Sequence, residues 1–277
     1  MRIGALYTYP VKGCYRLEHD SVRVEPWGLA GDRRWLVVDP DGTAVTQRDV
    51  AGLGQIRPTP TAGGLIVRAA GRPDLTVPEP RDGEPTEVTV WGDVVRAASA
   101  GAVADDWFSE ALDRKVRLVW LDDPTRRAVD PRYGLATDRV SFADGYPLLL
   151  ANAASLDALN DWLAEDGSPE WPLPMTRFRP NVVVTGAPAW AEDDWVGGRI
   201  RIGEVTFRVP KACGRCVVTT TDQETGERGR EPLRTLARYR NVDQKLLFAV
   251  NLIPDAPGHI RVGDPVHAST TPPTAAR

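Results

Sequence analysis

Over residues 1–121 apolar and polar positions alternate in short runs, each cut off by Gly, Pro or Asp, which is the pattern of half-buried β-strands. Arg33-Arg34-Trp35-Leu36-Val37-Val38, the turn Asp39-Pro40-Asp41-Gly42 and Thr43-Ala44-Val45-Thr46-Gln47-Arg48 read as strand, turn and strand. Leu65-Ile66-Val67-Arg68 and Thr86-Glu87-Val88-Thr89-Val90-Trp91 repeat the rhythm, and strands this short and this closely spaced suggest a barrel rather than a βαβ sheet. Helical spacing interrupts them at 102–112 through Val103, Trp107, Ala111 and Leu112, after which 114–120 alternates again.

Residues 122–141 are rich in charge, Pro and Gly and mark a candidate boundary. Beyond it, 146–150 reads as a buried strand, and 155–163 as a helix with Leu156, Leu159 and Leu163 on one face. Asn152 and Ser155 stand at that helix start, either as caps or as part of an anion site. Arg177-Phe178-Arg179-Pro180-Asn181 precedes an apolar run at 182–184. The acidic, aromatic stretch 188–198 either covers something or lies on the surface, and 199–209 alternates around a Gly-Glu turn as a hairpin does. Residues 232–238 read as a short helix or turn. The run 246–253 is apolar except for Asn251, a residue costly there unless bonded. A strand at 262–266 closes the fold. The expected division is therefore 1–121, 122–268 and a disordered tail at 269–277, in a mainly β protein with some α-helix.

Chemistry concentrates in Pro210-Lys211-Ala212-Cys213-Gly214-Arg215-Cys216, which reads as a loop feeding a β-branched strand at 217–221. Lys211 and Arg215 place positive charge beside the two thiols, which favours a thiolate fit to be a nucleophile, a redox partner or a soft-metal ligand. Structural zinc needs two more ligands, and His19, His259 and His267 are scattered; a thioredoxin-like dithiol begins a helix, whereas Val-Val-Thr-Thr-Thr follows here.

Composition narrows the function class. The 277 residues carry a net charge of −4, with four lysines and thirty arginines, and the balance argues against general nucleic-acid binding. Three cysteines give no disulfide framework and suit a reducing compartment. Without an apolar run of about 18 residues, and with an opening that reads as a first strand, the expectation is a cytoplasmic protein without a membrane anchor. Walker, dinucleotide and G-x-S-x-G motifs are missing from the sequence.

Cys213-Gly214-Arg215-Cys216, Arg177-Phe178-Arg179-Pro180-Asn181 and Val262-Gly263-Asp264-Pro265-Val266 together resemble the MOSC superfamily. At the front, Tyr9-Pro10-Val11-Lys12-Gly13-Cys14 and Gly31-Asp32-Arg33-Arg34-Trp35 resemble the P-V-K-S-C and G-D-R-x-W segments of the group with an N-terminal β-barrel domain. That group includes amidoxime-reducing components and reductases of N-hydroxylated bases. The resemblance implies an N-terminal β-barrel domain followed by a MOSC β-barrel domain. It implies too an oxidoreductase that binds the molybdenum cofactor and reduces small N-oxygenated compounds by oxygen-atom transfer.

Carried over residue by residue, the resemblance makes Cys216 the molybdenum ligand and Cys213 its neighbour, with Arg215 beside them. Lys12, Arg33, Arg179 and Asn181 match positions that hold the pterin and its phosphate; Asn152 and Ser155 lie on the segment that caps the phosphate. Asn251 falls where mitochondrial members carry tyrosine, and Gly13 replaces a serine. No cysteine spacing for an iron–sulfur cluster follows Val266, so the electrons are expected from a ferredoxin or flavoprotein reductase. The alternatives are sulfur transfer through a Cys216 persulfide, a non-catalytic cofactor carrier, and a binding barrel in which Cys216 only packs.

Overall fold

In the computed structural model, which describes residues 1–269, the chain is mainly β with three α-helices. The largest sheet is curled into a half-barrel. Along it run β2 (Leu17–Glu18), β1 (Arg2–Thr8), β13 (Val182–Thr185), β12 (Leu148–Asn152), β18 (Lys245–Pro254), β15 (Val205–Arg208), β14 (Arg199–Ile202) and β20 (Val266–Ser269). β16 (Ala212–Gly214) and β17 (Asn241–Val242) also pair with β18. Among the described residues no helix is long and apolar enough to cross a membrane.

The first half contributes three smaller sheets. One is β5 (Trp35–Val38), β11 (Arg117–Trp120), β10 (Asp93–Ser99) and β9 (Pro85–Val90); another is β6 (Arg57–Thr61), β7 (Gly64–Arg68) and β8 (Leu75–Pro78). The third joins β3 (Ser21–Glu25) and β4 (Gly28–Leu29) to β19 (Gly258–Arg261) from near the other end of the chain. Helix α1 (Ala102–Ala111) closes the core of this half with Trp107 and Phe108, packed among Trp35, Leu53, Val67 and Leu118.

Sequence order and sheet membership divide the chain differently. β1 belongs to the first 121 residues, yet it pairs antiparallel with β13, Leu6 opposite Val182, and its Ile3 and Leu6 join a core with Val182, Val184, Ile200, Phe207 and Val250. The structure also holds a βαβ unit: β12 and β13 pair in parallel across α2 (Ala153–Glu165), whose Leu159 and Leu163 pack on Phe178 and Phe248. Covered on both faces, every residue of β12 is buried, which explains the apolar run from Leu148 to Ala151 that precedes the capping Asn152. The third helix, α3 (Leu233–Tyr239), packs beside it through Leu236. The hairpin β14–β15 has the alternation expected, with Gly203 at a positive φ in its turn.

Three expected strands are not strands. Of residues 262–266, Val262 and Gly263 form a turn, Pro265 makes only an isolated bridge to Arg2, and the last strand starts at Val266, because Gly263 takes a positive φ and Asp264 Oδ2 accepts from the Arg261 amide at 2.8 Å. Residues 43–48 make only isolated bridges, Val38 to Ala44 and Thr43 to Thr89, because Asp49 accepts hydrogen bonds from the Thr46 amide and hydroxyl and turns the chain at Thr46. Cys216 leads into a 3-10 turn, Val217–Thr220, instead of a strand. The Thr219 hydroxyl donates to the Cys216 carbonyl at 2.9 Å and that of Thr220 to Val217 at 2.8 Å, so local back-bonding overrides β-propensity. Of the expected tail, Ser269 ends β20, and 270–277 lie outside the described residues.

Candidate active site

Between the two cores opens a cleft of about 370 Å³, walled by loops that leave the ends of strands. Lys12 and Gly13 follow β1, Arg33 precedes β5, and Gln47 and Arg48 hang from the turn at Thr46. The 143–148 segment before β12, Arg179 and Asn181 before β13, and Lys211 to Cys216 around β16 complete it, with Asn251 on β18.

The charge of this cleft is lopsided. Lys12, Arg33, Arg48, Arg179, Lys211 and Arg215 line it against one carboxylate, Asp144. Asp144 pairs with Lys12, and Asp32, behind the wall, pairs with Arg33. Arg179 is 9 % exposed, and its guanidinium donates to two neutral oxygens, Gln223 Oε1 at 2.9 Å and the Cys14 carbonyl at 2.8 Å. Burial, with the like charge of Arg33 adding to it, pulls its pKa down to about 10 against the raising pull of Tyr9, Cys14 and Asp32, leaving it charged at neutral pH. Burial likewise lowers the Lys12 pKa, against the opposing pull of Asp144. A buried cation without an anionic partner is costly, so the arrangement suits an anion that arrives from outside.

Backbone geometry aims these cations. Arg33 and Arg179 both adopt the left-handed conformation, φ 48° and 53°, which residues with a side chain rarely adopt. Their guanidiniums lie 4.5 and 4.2 Å from the centre of the buried Tyr9 ring, whose π surface attracts both cations. The Tyr9 hydroxyl donates to the Pro180 carbonyl at 3.0 Å, and burial pushes its pKa up to about 12. Asn181 is equally occupied. Its Oδ1 accepts from Arg33 Nη1 and from the Leu149 amide, both at 3.1 Å, while Nδ2 donates to the Tyr7 carbonyl at 3.1 Å. It orients Arg33 and ties β1 to β13.

Both half-buried thiols of the Cys-x-x-Cys segment face a guanidinium. Arg48 Nη2 lies 3.1 Å from Cys216 Sγ, and Arg215 Nη1 lies 3.0 Å from Cys213 Sγ. Arg215 also donates to the Phe178 carbonyl at 2.8 Å and keeps a buried Nε without a partner. Cys14 is different: fully buried, with its pKa pushed up to about 12 by desolvation, it packs as a small apolar residue.

The cleft thus gathers Lys12, Arg33, Arg179, Asn181, Arg215, Cys216 and Asn251. Asn251 donates from Nδ2 to the Lys211 carbonyl at 3.3 Å, which bonds an inserted polar residue within an apolar strand. Asn152 and Ser155 are not among its walls. At the start of α2 they both donate to buried Glu192 Oε2, at 3.0 and 2.8 Å, so the chain's own carboxylate fills the anion position there. The stretch 188–198 therefore covers the helix start, and Trp190 stacks on Trp162 with centroids 5.1 Å apart. Sequence reading missed Arg48 and Asp144. Arg48 lies in a run that resembles strand, and Asp144 in a loop without a motif; the Thr-Gln-Arg succession of long polar side chains is the signal that could have drawn attention to the first.

A soft thiol inside a ring of cations, with a buried guanidinium nitrogen left unpartnered, fits a large anionic ligand carrying a soft metal. Family models match both halves of the chain: the MOSC N-terminal beta barrel domain over residues 1–115 and the MOSC domain over residues 137–267. Mitochondrial amidoxime-reducing component 1 of Homo sapiens is 32 % identical over 284 residues, a match covering 96 % of this chain and 82 % of that protein. Mitochondrial amidoxime reducing component 2 of Bos taurus is 31 % identical over the same length, with 96 % and 82 % covered. Molybdenum cofactor sulfurase of Oryza sativa subsp. japonica is 31 % identical over 268 residues, 91 % of this chain but 32 % of that longer protein. The chain belongs to the MOSC-domain family, in the group that carries the MOSC N-terminal β-barrel domain.

Proposed function

We propose that this protein is a molybdenum-cofactor-dependent reductase of N-oxygenated compounds. The observation that carries the reading is the half-buried sulfur of Cys216, open to a cleft with six cations and one carboxylate. Cys216 would ligate the metal. Lys12, Arg33, Arg179 and Arg215 would hold the anionic pterin and its phosphate, with Asn181 and Tyr9 fixing the two arginines. Arg48 would keep positive charge on the sulfur while the site is assembled. Bound there, the cofactor supplies two-electron oxygen-atom transfer, so that an N–OH group, two electrons and two protons become N–H and water. The electrons would come from a separate ferredoxin or flavoprotein reductase.

The likeness to a cofactor sulfurase favours a second reading, sulfur transfer through a persulfide on Cys216. It needs no pterin cradle, whereas the cleft gathers cations from both halves of the chain, which supports the reductase reading. A non-catalytic carrier would share the cradle and differ only in turnover.

The test is purification from a host that makes molybdopterin, measurement of molybdenum and released pterin, and assay of an N-hydroxylated compound with a chemical electron donor. Stoichiometric metal and production of the deoxygenated amine support the reductase. Metal without turnover leaves a carrier, and a chain free of pterin that accepts persulfide sulfur at Cys216 replaces both. With NADH as sole reductant no reduction is expected; it should appear on adding a flavoprotein and ferredoxin.

A further inference from the structure

A second cavity, of about 550 Å³, adjoins the Cys216 cleft and shares Asp144, Gly145, Tyr146 and Lys211 with it. Its outer wall is the tip of the β9–β10 hairpin, where Trp91 and Gly92 form the two-residue turn between Val90 and Asp93. Both turn residues have positive φ, 53° and 94°. Such turns favour Asn, Asp or Gly at the first position, because a bulky side chain is strained there. Trp91 breaks the rule of its own turn, and strain of this kind persists where the surroundings hold it in place. They do: Nε1 donates to Asp144 Oδ1 at 3.0 Å, and the Arg48 guanidinium lies 4.4 Å from the ring centre. Even so, 52 % of Trp91 remains exposed, and Val94, on the same wall, is 65 % exposed.

The electrostatics of the two cavities differ. In the second, every wall charge but Lys211 has an ion-pair partner among the described residues: Asp93 pairs with Arg127, Asp144 with Lys12, Arg126 with Asp122, and Asp130 with Arg132. The ammonium of Lys211 lies 4.6 Å from the Tyr133 ring centre. Arg127, buried, also donates to the carbonyls of Ser141, Ala143 and Asp144, which fixes the ridge between the cavities. An apolar face anchored at its edge, beside a wall whose carboxylates and guanidiniums are already paired and whose one other cation, Lys211, lies over an aromatic ring, suits a flat uncharged group.

We propose that this cavity is a subsite for the planar, uncharged organic group of the substrate, with Trp91 as its stacking surface and specificity-determining residue. The assignment rests on the reductase reading of the neighbouring cleft. It implies that substrates carrying an aromatic ring on the carbon bonded to the oxygenated nitrogen are preferred over small alkyl ones.

The experiment is calorimetric titration of the full chain, purified from a molybdopterin-making host, with an aryl amidine and its methyl counterpart. Both carry the same cation and neither can be reduced, so the comparison isolates the ring. The parent should bind the aryl compound roughly tenfold more tightly than the methyl one, the size of effect that ring stacking plus burial supplies. Trp91→Ala should remove that difference while leaving methyl amidine binding unchanged, and Trp91→Phe, which keeps a ring without the N–H donated to Asp144, should retain most of it. Equal affinity of the parent for both ligands would overturn the proposal. So would equal weakening of both in Trp91→Ala, which would make the indole a mere brace for Asp144. Since no turnover is required, failure of the parent to reduce any N-hydroxylated compound would count against the reductase reading alone.

Discussion

Arg48 and Cys216 are 168 positions apart in the chain, and the Arg48 Nη2 atom lies 3.1 Å from the Cys216 sulfur. The contact brings a residue of the first half onto the chemical group of the second, and it exists because Asp49 turns the chain at Thr46 and ends the strand that the alternation predicts. The same guanidinium rests on Trp91, so the sulfur, the arginine and the indole form one chain of contacts across the cleft.

Replacing Arg48 tests that chain. Arg48→Gln should fold normally and retain cofactor about tenfold less well, as expected for loss of a charge-assisted hydrogen bond. Arg48→Lys should recover only part, because a point charge cannot both lie flat on Trp91 and donate to the sulfur. Pterin retained per chain after dialysis is the measurement.

If Cys216 ligates the metal as proposed, Cys216→Ala should lower molybdenum content by at least about tenfold, because removing a ligand costs more than removing its outer-shell support. Its thermal midpoint without cofactor should match that of the parent, since the residue is only half-buried. Equal metal in both proteins would remove Cys216 from the site.

Asn181→Ala should destabilise the fold by about 2–4 kcal/mol, because it strands the Leu149 amide and the Tyr7 carbonyl in a buried position and releases Arg33. Chemical denaturation reads the loss. Cofactor retention should fall with it.

Glu192 makes a pH prediction. Burial raises its carboxyl pKa above the ordinary 4.5, against the lowering effect of hydrogen bonds from Ser155 and Asn152. The folded chain therefore holds this proton to higher pH than the unfolded chain. Its contribution to stability is complete below pH 4.5 and declines as pH rises through the raised folded value. Glu192→Gln has no proton to release, so unfolding free energies measured from pH 4 to 8 should lose that part of the slope.

What the sequence discloses follows the range of the interactions. The β14–β15 hairpin and α2 are legible because alternation over 199–209, and Leu156, Leu159 and Leu163 on one face, are local signals. The turn after Cys216 is not legible, because β-branched residues favour a strand until the threonine hydroxyls bond back to their own carbonyls. Asn152 is visible as a helix cap, but the carboxylate that fills the helix start comes from Glu192, 40 positions later. The motif residues Lys12, Arg33, Arg179 and Cys216 converge on the cleft, whereas Arg48 and Asp144 reach it through tertiary contacts that no local pattern announces.

The pairing of β1 with β13 also governs how the molecule could be taken apart. A fragment starting at residue 122 would expose the flank of β13 and uncover Val182 and Val184, an open template for adding a strand from another copy. Separated halves should self-associate when made singly, and mixing them should restore monodisperse material as the missing strand slots back in.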